Sequence, residues 1–179
     1  MAQPLSQVPL LDAAGGRPGQ IGMLVPSLER ALAAHGMTPH VGPAWRIWTY
    51  DERIVTERIY RGAAGRFSMR LALGGSDPQV ELIEPLEGPS AYHEWIDERG
   101  YGFHHVGYYV ADVRAVTVEM ERAGFEVLMG GSGFGADGSG AFAYYDTVAA
   151  LGYVTEAIEV PAQRHEPEAL WPPAAQPDA

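Results

Sequence analysis

The chain has 179 residues, 46% of them hydrophobic and 20% charged, proportions ordinary for a soluble globular protein, and no apolar run approaches the roughly 20 residues that span a bilayer. A formal charge of −11 and a pI near 4.8, with no clustering of the arginines, exclude nucleic acid as an expected partner. The lack of cysteine excludes disulfides, thiolate catalysis and Cys-ligated zinc, and because all 12 basic residues are arginine, lysine Schiff bases and a P-loop lysine are excluded too.

Any bound metal must therefore use nitrogen and oxygen ligands, and the cysteine-free composition is compatible with a reducing cytoplasm. Residues 1–17, MAQPLSQVPLLDAAGG and Arg17, lack the basic start and continuous apolar stretch of a secretory signal and read as a poorly ordered lead-in. From Gln20 the segment QIGMLV has strand character. PSLERALAAHG after it predicts a short helix, capped by Ser27 and ended by Gly36. WRIWTY, RFSMRLALGG and PQVELIEP are rich in β-branched and aromatic residues and predict three more strands. A helix over 90–99, stopped by Gly100, leads to FHHVGYYV and to an amphipathic helix capped by Asp112. Strands are expected near EVLMGG, GAFAYYDT and GYVTEAIEV. Residues 162–179 form a Pro-rich tail whose Trp171 is placed to dock on the body.

The chain repeats itself. QIGMLVPSLERALAAHG and HVGYYVADVRAVTVEMERAG align so that Gln20 matches His105, Gly22 matches Gly107 and Val25 matches Val110, at a constant offset of 85 residues. The last strands of the two halves, VELIEP and VTEAIEVP, place Glu81 opposite Glu156. Two βαβββ modules, over about 18–88 and 102–161, together form one domain of 18–161. Because side chains alternate along a strand, Gln20, Glu81, His105 and Glu156 each fall on a face shared with apolar or small residues. A lone His or Gln at a strand start is ordinarily a structural hydrogen-bonding residue. Polar residues at four repeat-related inward positions instead point to a common partner, because a buried carboxylate must be paired, hydrogen-bonded or metal-bound. One amide, one imidazole and two carboxylates suit Zn²⁺, Ni²⁺, Co²⁺, Mn²⁺ or Fe²⁺, and leave room for water or substrate oxygens. On the same alternation His104 points away from His105 and is a structural neighbour. The glycines of GGSGFGADGSG open no predicted helix, so they suit a flexible hairpin or lid better than a phosphate cradle.

The stretches QIGMLV, VELIEPLEG, GFHHVGYYV, FAYYDT and GYVTEAIEV, spread over about 18–161, resemble the vicinal oxygen chelate superfamily, especially its glyoxalase I and methylmalonyl-CoA epimerase branches. The resemblance implies an α+β fold in which two βαβββ modules form a U-shaped mixed sheet around a metal, commonly in a homodimer. It places the metal ligands on Gln20, Glu81, His105 and Glu156. The epimerase branch usually has His where this chain has Gln20, so the set looks more like that of zinc-type glyoxalase I. Arg70 stands near the position of an additional carboxylate base in the epimerases. The function implied is an isomerase, epimerase or lyase acting through a metal-stabilised enediolate on a small substrate with adjacent oxygens. Glu156 is the expected base, and Glu81 returns the proton. Trp48, Arg70, Tyr109 and Tyr144 are the candidate substrate-pocket residues. The competing readings are a non-catalytic small-molecule binding protein on the same fold and a metal-dependent oxygenase.

Overall fold

The computed structural model describes residues 8–35 and 44–173. A short helix, α1 (Pro9–Ala13), precedes the first module. That module contributes β1 (Gln20–Leu24), α2 (Leu28–His35), β2 (Trp45–Tyr50), β3 (Glu57–Tyr60), β4 (Ala63–Ala64), β5 (Met69–Gly74) and β6 (Gln79–Pro85). Helix α3 (Ala91–Arg99) links it to the second, which contains β7 (Gly102–Tyr109), α4 (Val113–Arg122), β8 (Val127–Ser132), β9 (Ala141–Tyr145), α5 (Val148–Leu151) and β10 (Val154–Glu159). Strand β11 (Ala169–Trp171) ends the described chain.

The helices start where the sequence supplies caps. Ser90 Oγ accepts from His93 N at 3.4 Å to open α3, and Asp112 Oδ1 accepts from Ala115 N at 3.0 Å to open α4. Ser27 Oγ accepts from Arg30 N at the start of α2, where Glu84 takes the Leu28 N–H. Gly100 ends α3 with φ +82°, a left-handed backbone that glycine adopts without a steric penalty. Gly36, expected to end α2, lies outside the described residues. None of the described helices is long and apolar enough to cross a membrane.

All the strands join one mixed sheet in the order β11-β2-β5-β6-β1-β7-β10-β9-β8-β3-β4. The two first strands, β1 and β7, meet antiparallel at its centre, and each is flanked by the last strand of its own module in parallel, β6 and β10. Residues from both arms, such as Trp48, Leu71 and Ile83 on one side and Met129, Phe142 and Tyr144 on the other, pack in a single cluster, so the sheet curls into a U with its core inside. Outside, α2 sets Leu28 and Leu32 on Trp45 and Leu82, while α4 sets Val116 and Met120 on Tyr145 and Ala157. The expected α+β architecture of two βαβββ modules is thus the observed one.

Three features depart from the sequence expectations. The lead-in is not all loose: α1 inserts a fully buried Leu10 into the α4 layer, and the gain from burying Leu, roughly 1.5–3 kcal/mol, is enough to order a short segment. The tail does more than dock Trp171, which packs on the α2 layer as expected: it forms β11, which pairs with β2. The β3–β4 hairpin, polar and short enough to escape pattern reading, crosses from the first module to pair with β8 of the second.

Candidate metal centre

The four central strands carry the four candidate ligands, and their register explains how these meet. Gly22 on β1 lies opposite both Glu81 on β6 and His105 on β7; Gly107 on β7 lies opposite both Gln20 on β1 and Glu156 on β10. Each repeat-related glycine therefore sits between two polar side chains and leaves the space they occupy. A methyl group built on Gly22 would fall inside the His105 ring, and one on Gly107 would stand 3.0 Å from Gln20 Cβ and 3.2 Å from Glu156 Oε2.

Glu81, His105 and Glu156 converge, all buried, with one ligand atom from each within 4.8 Å of the others. His105 Nε2 is 3.1 Å from Glu156 Oε2 and 3.4 Å from Glu81 Oε2. None of these three atoms has a well-aligned hydrogen-bond partner. Leaving a buried polar group unsatisfied costs about 1–3 kcal/mol, and more for a charged one. Three such atoms aimed at one point fit a divalent cation, which would satisfy all of them. Gln20, 5% exposed, lines the same cavity.

The electrostatics agree with a cation site. Burial alone would lower the His105 pKa, but Glu156 and then Glu81 raise it to about 9. Burial raises that of Glu156, against the opposing pull of His105, and the neighbouring Glu81 adds to the rise. Without a metal, a proton on His105 bridges the acids; a metal ion displaces it.

His104 does not point away as strand alternation predicts. The β1–β7 register slips between Gly22, opposite His105, and Met23, opposite Phe103, so His104 is the extra residue of a β-bulge. Both histidines turn inward. His104 is fully buried against Tyr92 and Trp95, and its Nδ1 is 3.0 Å from His105 Nδ1. For His105 Nε2 to offer a lone pair to a metal, its proton must reside on Nδ1, and His104 Nδ1 is placed to accept it. Burial, with the nearby His105 charge, holds the His104 pKa well below its usual value, so it is the neutral acceptor this requires.

The cavity above the cluster has a volume of about 40 Å³. Leu71, Phe134, Phe142 and Ile158 contribute its apolar walls, and Tyr144 lines it, hydrogen-bonded to Tyr92 at 3.0 Å. Of the other pocket candidates, Trp48 sits in the core beneath the tail and donates its indole N–H to His165 O, while Tyr50, two residues on, takes a place in the lining. Tyr109 is half-exposed, its ring over Gly19 outside that lining. Arg70 does not reach the cavity. Met69, Leu71 and Leu73 take the inner face of β5, so Arg70 turns outward to pair with Glu29 at 2.5 Å and Glu84 at 3.5 Å beside the start of α2. Sequence reasoning missed Tyr50, Tyr92, Phe134 and Arg164 as lining residues. Only Tyr50 carried a signal, its strand parity with Trp48.

A second groove, of about 890 Å³, runs between α4 and β3 on the outer face. It contains none of the buried polar atoms that lack partners.

The profile of the glyoxalase/bleomycin resistance protein/dioxygenase superfamily matches residues 19–144. The chain belongs to this superfamily. The match takes in Gln20, Glu81 and His105, and the vicinal oxygen chelate fold accounts for the βαβββ pair and for Glu156 on the strand that completes the second module. Solved structures agree on the fold. A methylmalonyl-CoA epimerase variant of Streptomyces coelicolor in complex with 2-nitronate-propionyl-CoA is 20% identical with a TM-score of 0.56, the alignment covering 83% of this chain and 97% of that one. The methylmalonyl-CoA epimerase of Mycobacterium tuberculosis is 18% identical with a TM-score of 0.57, covering 90% and 93%. A hypothetical protein of Bacillus halodurans C-125 is 19% identical with a TM-score of 0.53, covering 84% and 98%. No curated protein sequence matches the chain significantly.

Proposed function

We propose that the protein is a metal-dependent isomerase, epimerase or lyase that removes a proton from the carbon next to a pair of adjacent oxygens in a small substrate. The observation that carries this reading is the convergence of three buried, partnerless ligand atoms from Glu81, His105 and Glu156. Gln20 completes the set as the fourth ligand.

A divalent ion held there would polarise the chelated oxygens, acidify the adjacent C–H and carry the negative charge that builds as the proton leaves. Glu156 takes the proton. It is a carboxylate within reach of a substrate chelated at the site, placed on the last strand of the second module. Glu81, on the symmetry-related strand of the first module, returns it. His105 holds its ring in place through His104, and the apolar walls exclude the water that would otherwise compete for the proton.

The test is α-proton exchange in D₂O after loading with Co²⁺, Ni²⁺ or Zn²⁺. Dihydroxyacetone, the hemithioacetal of methylglyoxal and a methylmalonyl thioester form the substrate panel. Exchange that requires metal and disappears in Glu156→Ala supports the proposal. Full activity in metal-loaded Glu156→Ala, or exchange that persists in a chelator, overturns it.

A further inference from the structure

The segment that follows β10 is a strap across the mouth of the metal cavity. On one side it is tied to the first module: Trp48 Nε1 donates to His165 O at 3.0 Å, Glu168 N donates to Ile47 O at 2.9 Å, and the Glu168 carboxylate accepts from Thr49 N and Oγ1 at 3.1 and 2.9 Å. On the other side it is tied to the glycine-rich turn between β8 and β9. Ala136 N donates to Gln163 O and Ala162 N to Ser139 Oγ, both at 2.8 Å, and Gly135 bridges Arg164. Arg164 lies between these two anchorages and turns into the cavity, where it lines the wall with Gln20, Glu81 and Glu156.

Among the described residues lining that cavity, Arg164 is the one Lys or Arg. Arg164, like Arg30, Arg46, Arg66, Arg99 and Arg114, has no carboxylate within 4.0 Å among the described residues, and of these it alone lines the cavity. Its side chain is half-buried and shares the cavity lining with Tyr50, where it offsets part of the rise that burial imposes on that phenol. Bonds on both sides fix the backbone that carries this side chain before any ligand arrives.

Counting charge leads to the ligand. With a divalent ion in place, the two carboxylates cancel it, and neutral His105 and Gln20 add nothing. Arg164 then leaves the cavity with one positive charge and apolar walls. A neutral ligand would bury that charge unpaired, which is unfavourable in a low-dielectric site, whereas a monoanion neutralises it. We infer that Arg164 is the specificity-determining residue of this site and selects a small monoanion with adjacent oxygens, such as a 2-oxo or 2-hydroxy carboxylate. Its planar guanidinium matches a carboxylate through two parallel N–H donors.

This inference rests on the metal reading above, and the experiment separates the two. Co²⁺-loaded protein is titrated with pyruvate and with its neutral amide, pyruvamide, using the visible absorption of the cobalt as the signal. In wild type, pyruvate binds at least ~10-fold more tightly than pyruvamide, as expected for a charge-assisted pair at a half-buried site. Arg164→Ala removes that preference while the affinities for pyruvamide and for Co²⁺ stay unchanged, and Arg164→Lys keeps part of it. Wild-type protein that binds pyruvate no more tightly than pyruvamide overturns the role of Arg164. So does an Arg164→Ala change that weakens both ligands equally, and in either case the metal site still stands. A chain that takes up no Co²⁺ overturns the metal reading, and this inference with it, since the charge count that selects a monoanion includes the ion.

Discussion

Replacing Gly22 by alanine tests whether the metal centre depends on the register of the central strands. The added methyl group would fall within the His105 ring, which cannot yield by a small shift because it is packed edge-on against Tyr144 at 5.0 Å and His104 at 5.2 Å. The ring must swing away and take Nε2 out of the cluster. Disturbing a residue behind a metal ligand typically costs 10–100-fold in affinity, so displacing a ligand should cost at least about 100-fold, or about 2.7 kcal/mol. Overpacking should also lower the stability of the metal-free protein by about 1–3 kcal/mol. Gly107→Ala is the internal control. Its methyl would meet the tip of Ile158 at 2.8 Å and stand 3.0 Å from Gln20 Cβ and 3.2 Å from Glu156 Oε2, neighbours that need give by only a few tenths of an ångström, so its metal affinity should fall less than that of Gly22→Ala. Co²⁺ titration by visible absorption and urea unfolding of metal-free samples give both quantities. Wild-type metal affinity in Gly22→Ala, or equal damage from the two substitutions, would refute the reasoning.

His104→Leu removes the acceptor for the His105 Nδ1 proton, and metal affinity should fall by about 10–100-fold with the fold intact by circular dichroism. Retention of wild-type affinity would mean that His105 is oriented by packing alone. The metal-free protein should also lose stability as pH rises. His105 has a folded pKa of about 9, above the usual 6.5, so the stability it contributes is complete below about pH 6.5 and is lost as pH climbs through 9. Glu156, also raised, acts in the same direction at lower pH. Thermal melts in EDTA between pH 6 and 9.5 should show this fall, of the order of 3 kcal/mol, while metal-saturated samples stay level. Arg70→Ala should leave Co²⁺ affinity within about twofold of wild type and change stability by less than about 1 kcal/mol, because its ion pairs are on the outer surface. A larger loss of metal affinity would return Arg70 to the site.

What could be read in the chain followed periodicity and repetition. The match of Gln20 with His105 and of Glu81 with Glu156 singled out the converging Glu81, His105 and Glu156 and the cavity-lining Gln20, since a strand's period of two and an offset kept through both modules are properties of sequence alone. His104 was misplaced because a bulge is an interruption of that period, and only the pairing of β7 with β1 reveals it. Arg70 was misplaced for a different reason. The sequence left it equally open to pairing with a structural acid and to holding substrate; its neighbour Leu71 faces inward, and Arg70 turns outward to the acids Glu29 and Glu84. Arg164 was out of reach, because Pro-rich composition predicts how a segment behaves alone and says nothing of the hydrogen bonds offered by Trp48, Ile47 and Thr49.

The two central glycines also bear on what joining the modules makes possible. If each module were a separate chain and two identical copies met about a two-fold axis, β1 and β7 would carry the same residue at the first ligand position, and any change there would alter two ligands at once. On one chain the twofold-related positions are independent sites of mutation. Here they have diverged, an amide at Gln20 facing an imidazole at His105, while Gly22 and Gly107 have stayed alike. The shared glycines keep the geometry of a symmetric cradle. With a cation bound, an imidazole on one side and an amide on the other would hold it unequally, so that the amide position could open to an incoming oxygen without loosening its counterpart.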